Sequence, residues 1–278
     1  MLKNKIKHIL AKVREKIWPS GFDGWLRIYP TLQCNLHCAY CVHSHNLPES
    51  MAGKYSLVPW QKWAEFINKT GKNVILTGGE PFLYPDLVKL VNAISSAIKV
   101  KIYSNFSADL QDYISNCKRP VVFFGTYHPV SGPVDKFIET INAIRAAGKF
   151  AGSIHMVGWD KQFDFVNKAK QEFARHNWYV YIDDDQYLQD ESSCMKFRKK
   201  VSCTRRIYLI APDGRRFLCV SKMLRQKDTL GNVLEAGLGA DQATITCQDY
   251  GYCNPCDKMG ETKITVFTNK GVTDHGSE

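Results

Sequence analysis

From residue 25 onward the chain alternates short runs rich in β-branched and aromatic residues with longer stretches in which apolar residues recur every three to four positions. The runs Trp25–Thr31, Asn73–Thr77, Val100–Ser104, Val121–Tyr127, Phe150–Val157 and Trp178–Ile182 predict strands. Pro59–Lys69, Pro85–Ala97, Ala108–Asn116, Pro133–Ala147 and Lys161–His176 predict the helices between them, and several open on the proline expected in a first turn. A further helix is expected after Asp185. Strands and helices alternating in this way predict an α/β fold with a parallel sheet, which right-handed crossovers curl into a partial (β/α)6 barrel. Its working loops follow the C-terminal ends of the strands.

A different pattern comes first. Leu2, Ile6, Ile9, Leu10, Val13 and Ile17 recur at helical spacing among lysines and arginines, so residues 1–20 predict a basic amphipathic helix. Such a helix suits packing on the main domain, docking of a partner, or peripheral contact of residues 2–17 with an anionic membrane. It also accounts for half of the net charge of +10, because six cations less Glu15 leave +5 within the first 17 residues. The charge is therefore not read as nucleic-acid binding. No apolar run approaches the roughly 20 residues of a spanning helix. The opening MLKNKIKHIL lacks a signal-peptide core, so a reducing, cytoplasmic setting is expected, in which thiols persist. At 278 residues the chain can form one large domain with a small appendage.

The ten cysteines change the picture most. Cys34, Cys38 and Cys41, in TLQCNLHCAYC, lie just past the first predicted strand. Three thiolates this close in sequence can hold three irons of a cubane cluster and leave the fourth iron without a protein ligand. Zinc is the competing reading, with His37 or His43 as fourth ligand, although structural zinc sites usually pair two separated Cys-x2-Cys knuckles. The loop after the second strand reads TGGEP. Gly78 and Gly79 allow close backbone approach to a ligand, and Glu80 offers an acceptor for an ammonium group. Ser104 and Asn105 end the third strand, Tyr127 and His128 the fourth, and Asp183 to Asp185 the sixth, while His155 lies within the fifth.

The three-cysteine loop, with Tyr40 ahead of its last cysteine and Gly-Gly-Glu-Pro one strand later, resembles the radical S-adenosylmethionine (SAM) superfamily. The resemblance implies a [4Fe-4S] cluster whose open iron binds the amino and carboxylate groups of SAM. It further implies cleavage of SAM by one electron to a 5′-deoxyadenosyl radical, which takes a hydrogen atom from the substrate. On the same basis Gly78, Gly79 and Glu80 would serve the SAM amino group, Ser104 and Asn105 the ribose, and Tyr40 and His128 the cofactor. His155 would lie near the adenine or in the core. His128 and Asp183 are also candidates to face substrate.

Cys203 and Cys219, spaced Cys-x10-Gly-x4-Cys around an expected hairpin turn at Pro212 to Gly214, precede Cys253 and Cys256. This spacing resembles the auxiliary-cluster module called SPASM in its long form and twitch in its short form. The resemblance implies a second [4Fe-4S] cluster on Cys203, Cys219, Cys253 and Cys256, with a four-thiolate zinc ribbon as the alternative. The implied organisation is a barrel over 21–200, the cysteine-rich hairpin module over 201–262 and a tail over 263–278. Cys247 has no place in that ligand set, and Cys117 reads as a buried small hydrophobe. Cys194 reads either as inert or as the hydrogen-returning thiol of some radical SAM epimerases. Only 33 residues precede Cys34, too few for the peptide-binding domain of many peptide-modifying relatives. A small polar metabolite such as a sugar or cyclitol, oxidised or epimerised, is therefore expected, with a short peptide as the alternative substrate. A flavodoxin- or ferredoxin-type protein is the expected electron donor. A zinc-stabilised basic binding module is the reading from another class, and metal content separates the two.

Overall fold

The computed structural model describes residues 24–41, 43, 55–158, 162–184, 199–205, 208–240, 243–250, 262–268 and 271–275. The expected alternation is present. Strands β1 (Leu26–Thr31), β2 (Val74–Gly78), β3 (Val100–Ser104), β4 (Val122–Tyr127), β5 (Ala151–Gly158) and β6 (Val180–Asp184) run parallel, each paired with the next. Between β1 and β6 lie helices α1 (Trp60–Thr70), α2 (Leu87–Ala93), α3 (Gln111–Asn116), α4 (Val134–Ala146) and α5 (Phe163–Arg175).

Alternate strand residues divide between the two faces of the sheet. Ile28, Leu76, Ile102, Phe123 and Ile154 pack with Trp63, Ile67, Leu90, Ile141 and Phe173 of the helices, all almost fully buried. Each large apolar side chain buried in this layer contributes about 1.5–3 kcal/mol. All six residues of β1 are buried, as expected where both faces of a parallel sheet are covered. The alternate positions carry polar and aromatic side chains. Tyr103 stacks on Phe124 (4.5 Å between centroids), Phe124 on His155 (3.4 Å) and His155 on Tyr181 (5.1 Å).

Two helices are shorter than their periodicity predicts, for local reasons. Helix α2 stops at Ala93 because the Asn68 amide donates to the Ala93 carbonyl (2.9 Å) and accepts the Ser95 N–H (2.8 Å). Helix α3 starts at Gln111, where the Asp109 carboxylate accepts the Gln111 N–H at 2.9 Å.

The C-terminal region departs from expectation. The hairpin predicted around Pro212 exists as β8 (Tyr208–Ile210) and β9 (Arg216–Phe217), turning through Gly214 at φ +85. It does not form a separate unit with Cys203. Strand β8 pairs parallel with β1, so one eight-stranded sheet has the order β6-β5-β4-β3-β2-β1-β8-β9. Cys203 instead lies on β7 (Lys199–Arg205), in a four-stranded antiparallel sheet ordered β10-β7-β11-β12. Here β10 is Ala243–Tyr250, and the stretch read as a tail supplies β11 (Thr262–Thr268) and β12 (Gly271–His275). Between β9 and β10 lie two short helices, α6 (Val220–Leu224) and α7 (Val233–Ala236). The expected helices over 1–20 and after Asp185 fall outside the described residues. Among the described residues no helix is long and apolar enough to cross a membrane.

Candidate functional site

The cysteine loop leaves the C-terminal end of β1 and is fastened to the loop after β2. Gly79 N–H donates to the Thr31 carbonyl (3.3 Å) and Glu80 N–H to the Gln33 carbonyl (2.7 Å). This contact explains the glycine pair. A Cβ on Gly78 would stand 2.2 Å from the Thr31 carbonyl oxygen, and one on Gly79 would stand 2.0 Å from that of Gln33. The close approach these glycines permit is therefore to the chain's own cysteine loop.

Glu80 is fully buried. Its Oε1 accepts from Ser104 Oγ (3.0 Å) and Phe82 N–H (3.1 Å), and its Oε2 accepts from Asn105 N–H (2.8 Å). Burial pushes the carboxyl up to about 7, and the three donors partly oppose that shift. Ser104, Asn105 and Glu80, read from sequence as three separate cofactor contacts, are thus one bracket joining the ends of β2 and β3 to the cysteine loop. The Asn105 amide continues the bracket onto Cys34 Sγ at 3.7 Å. No sequence signal marks that last contact.

The three thiols sense one another. Burial raises Cys34 and Cys38, the latter to about 12, and each is raised further by Cys41. Cys34 and Cys38 thus favour the thiol until a cation compensates their charge, as in a metal site whose ligands lose protons on loading. Among the described residues, the one group of three or more His, Cys, Asp or Glu donor atoms lying within 4.8 Å of one another is Asp135, Glu172 and His176, at the surface. The three loop sulfurs do not all lie within that distance of one another.

Tyr40 reaches from the cysteine loop to the end of β4, where its hydroxyl lies 2.8 Å from His128 Nδ1 and the two rings stack at 5.8 Å. The sequence reading placed both residues at the cofactor, and the structure brings them together. Burial lowers His128 to about 4. The unfolded chain takes up a proton near pH 6.5 while the folded ring stays neutral, so this residue's contribution to stability is complete above pH 6.5 and is lost as pH falls toward 4. Between pH 7.5 and pH 5, urea denaturation of wild type and His128→Asn should show the wild type losing about 2 kcal/mol relative to the variant.

Across the sheet the structure joins two further candidates. His155 Nδ1 lies 2.8 Å from Asp183 Oδ2, and Ser153 Oγ lies 2.7 Å from His155 Nε2. The His155 side chain is 4% exposed and that of Asp183 is 43% exposed, so the chain of hydrogen bonds leads from inside the sheet toward solvent. Cys194, Cys253 and Cys256 lie outside the described residues.

The remaining cysteines divide by environment. Cys117 is buried at the end of α3, its thiol donating to the Arg119 carbonyl, as a small hydrophobe would be. Val201, Cys203, Leu218 and Cys247 form one small buried cluster linking the two sheets, and Cys219 adjoins it in sequence. Cys247 opposes Val201, two residues from Cys203, so both thiols occupy one face of the β7–β10 ladder. Cys247, without a place in the sequence reading, thus sits beside an expected ligand.

Residues 28–165 match the profile of the Radical SAM superfamily. That span contains the cysteine loop, the Glu80 bracket and the Tyr40–His128 pair. The chain is 35% identical over 112 residues to 7-carboxy-7-deazaguanine synthase of Clostridium acetobutylicum, a match covering 39% of this chain and 49% of that protein. It is 25% identical over 183 residues to GTP 3′,8-cyclase of Acidothermus cellulolyticus, covering 56% and 49% respectively. The chain thus spans about half the length of the curated relatives it matches. Among solved structures, BtrN in complex with AdoMet and 2-DOIA aligns with a TM-score of 0.50 at 15% identity, over 80% of this chain and 82% of that one, a likeness of fold. Residues 28–165, which include the cysteine loop at the end of β1, thus match a superfamily of SAM-binding iron-sulfur enzymes.

Proposed function

We propose that the protein reductively cleaves SAM and uses the resulting radical to abstract a hydrogen atom from a small polar metabolite, leading to its oxidation or epimerisation. The observation that carries this reading is the cysteine loop held at the end of β1 by the Glu80 bracket. Cys34, Cys38 and Cys41 would hold the cluster, which when bound supplies the electron for cleavage of SAM. The chain's own residues do the rest. Gly78 to Glu80 fix the loop, Tyr40 and His128 tie it to β4, and the aromatic row Tyr103, Phe124, His155 and Tyr181 would line the substrate side of the sheet. Asp183, which His155 contacts at 2.8 Å, would accept a proton from a substrate hydroxyl. The two curated relatives are named for small-molecule chemistry, which favours a metabolite over a peptide as substrate. A flavodoxin- or ferredoxin-type donor would supply the electron.

Anaerobic incubation with SAM and a strong reductant should release 5′-deoxyadenosine, and stoichiometric zinc with no iron in anaerobically purified protein would overturn the reading. The proposal includes a second cubane on Cys203, Cys219, Cys253 and Cys256. Two cubanes correspond to about eight irons per chain. Cys203→Ala should retain about four and still cleave SAM. Full retention of iron by that variant would remove Cys203 from the ligand set.

A further inference from the structure

Asn105 reads in the sequence as a ribose contact, yet its side chain is committed within the protein. Nδ2 lies 3.7 Å from Cys34 Sγ and 3.2 Å from Asn35 Oδ1, one acceptor for each of its two N–H bonds. Oδ1 accepts the Ser107 N–H at 2.8 Å and the Ser107 hydroxyl at 2.6 Å. The Ser107 backbone N–H can only donate, so it fixes the orientation of the amide, with oxygen toward Ser107 and nitrogen toward the sulfur.

The backbone beneath this amide is equally constrained. The Asn105 N–H is held by Glu80 at 2.8 Å, and Phe106 follows in the left-handed region at φ +53. The Phe106 ring lies against Gly125, where a Cβ would stand 2.4 Å from it, and packs edge-on with Phe123. Asn105 itself is buried. Cys34 Sγ also accepts the Leu36 N–H at 3.4 Å, so two N–H groups converge on this sulfur.

We propose that Asn105 tunes the reduction potential of the cluster through an N–H···S bond to Cys34, and that it does not act as a ligand of the ribose. The inference rests on the reading that a cluster is held by Cys34, Cys38 and Cys41. One-electron reduction would add negative charge shared by the cluster and its thiolates. A fixed N–H dipole aimed at one sulfur stabilises that charge, favours the reduced state and raises the potential. Partial burial of Cys34 leaves the dipole weakly screened. Glu80 and Ser107 are positioning residues in this arrangement, because they act on the sulfur only through Asn105.

The test is a redox titration monitored by electron paramagnetic resonance, on the full chain with its clusters reconstituted and with SAM absent. Wild type is compared with Asn105→Leu, which removes the donor, and with Asn105→Asp, which keeps the shape and the acceptor for Ser107 but places a carboxylate oxygen at the sulfur. Both variants are expected to hold wild-type iron and to shift the midpoint of this cluster to more negative potential. Poised at the wild-type midpoint, the ratio of reduced to oxidised cluster should fall about tenfold in Asn105→Leu, the effect of losing one hydrogen bond to a charged group, and further in Asn105→Asp. An unchanged midpoint in either iron-loaded variant, with only SAM affinity weakened, would overturn the proposal in favour of a ribose contact. Loss of iron from both variants would also overturn it, by making Asn105 a structural support. Wild-type protein that shows no iron-sulfur signal would instead refute the reading on which the proposal rests.

Discussion

Replacing Cys38 with alanine is expected to reduce release of 5′-deoxyadenosine from SAM to background and to remove about four irons per chain. Cys38 is the most buried of the three loop cysteines and the most strongly shifted, pushed up to about 12 by desolvation and then by Cys41 and Cys34. Two remaining thiolates leave a second iron without a protein ligand, and the charge they would carry lacks the cation that stabilises it. The fold itself should tolerate the change, because removing one sulfur costs about 1 kcal/mol in a partly open loop. Circular dichroism with a matched melting profile, measured beside the iron assay, separates loss of the metal from loss of the protein. A variant that keeps its iron and still cleaves SAM would sink the assignment of this loop.

The second large effect is expected at Glu80. Glu80→Ala leaves Ser104 Oγ, Phe82 N–H and Asn105 N–H without their shared acceptor inside the protein, at a cost of about 3–5 kcal/mol. That is a large fraction of the 5–15 kcal/mol by which domains are usually stable, so low soluble yield and low iron content are both expected. Glu80→Gln is more informative. Burial raises the folded carboxyl to about 7, above its ordinary value of 4.5, so the folded state holds a proton that the unfolded state releases. The contribution of Glu80 is therefore fully present below pH 4.5 and is lost as pH rises toward 7. His128 has the opposite slope over an overlapping window, so the two largely cancel in the wild type. Glu80→Gln should consequently lose more stability on acidification than wild type, by up to about 3 kcal/mol between pH 7.5 and pH 4.5 in urea titrations. Parallel curves for the two proteins would show that Glu80 does not titrate in this range.

The strand and helix alternation was legible because long, strongly periodic segments carry it, and all six parallel strands lie within a residue or two of their predicted positions. Helix ends were less legible. The amide of Asn68 on α1, which stops α2, belongs to a different predicted element. Cys34, Cys38 and Cys41 stood out by their spacing and Glu80 by the resemblance of its Gly-Gly-Glu-Pro loop, but the use Glu80 is put to did not, since two of its three partners lie 24 and 25 residues away, at the end of another strand. The place of the C-terminal hairpin was less legible, for a physical reason. A turn at Pro212 to Gly214 signals a hairpin, but no local pattern says which sheet edge it joins, and in the structure it borders β1. Strands β11 and β12 were readable in retrospect, because TKITVFT alternates apolar and polar residues before an Asn-Lys-Gly turn.

The pairing of β8 with β1 has a consequence for biosynthesis. Leu26 is hydrogen-bonded in register with Tyr208, a partner made about 180 residues later. At about 5–20 residues per second, the strand that carries the cysteine loop waits roughly 10–40 s on the ribosome before its second neighbour emerges. Until then β1 is an edge strand beside the three thiols. Metal loading that precedes release of the chain would take place on a half-bordered strand, whereas loading after release meets the finished sheet.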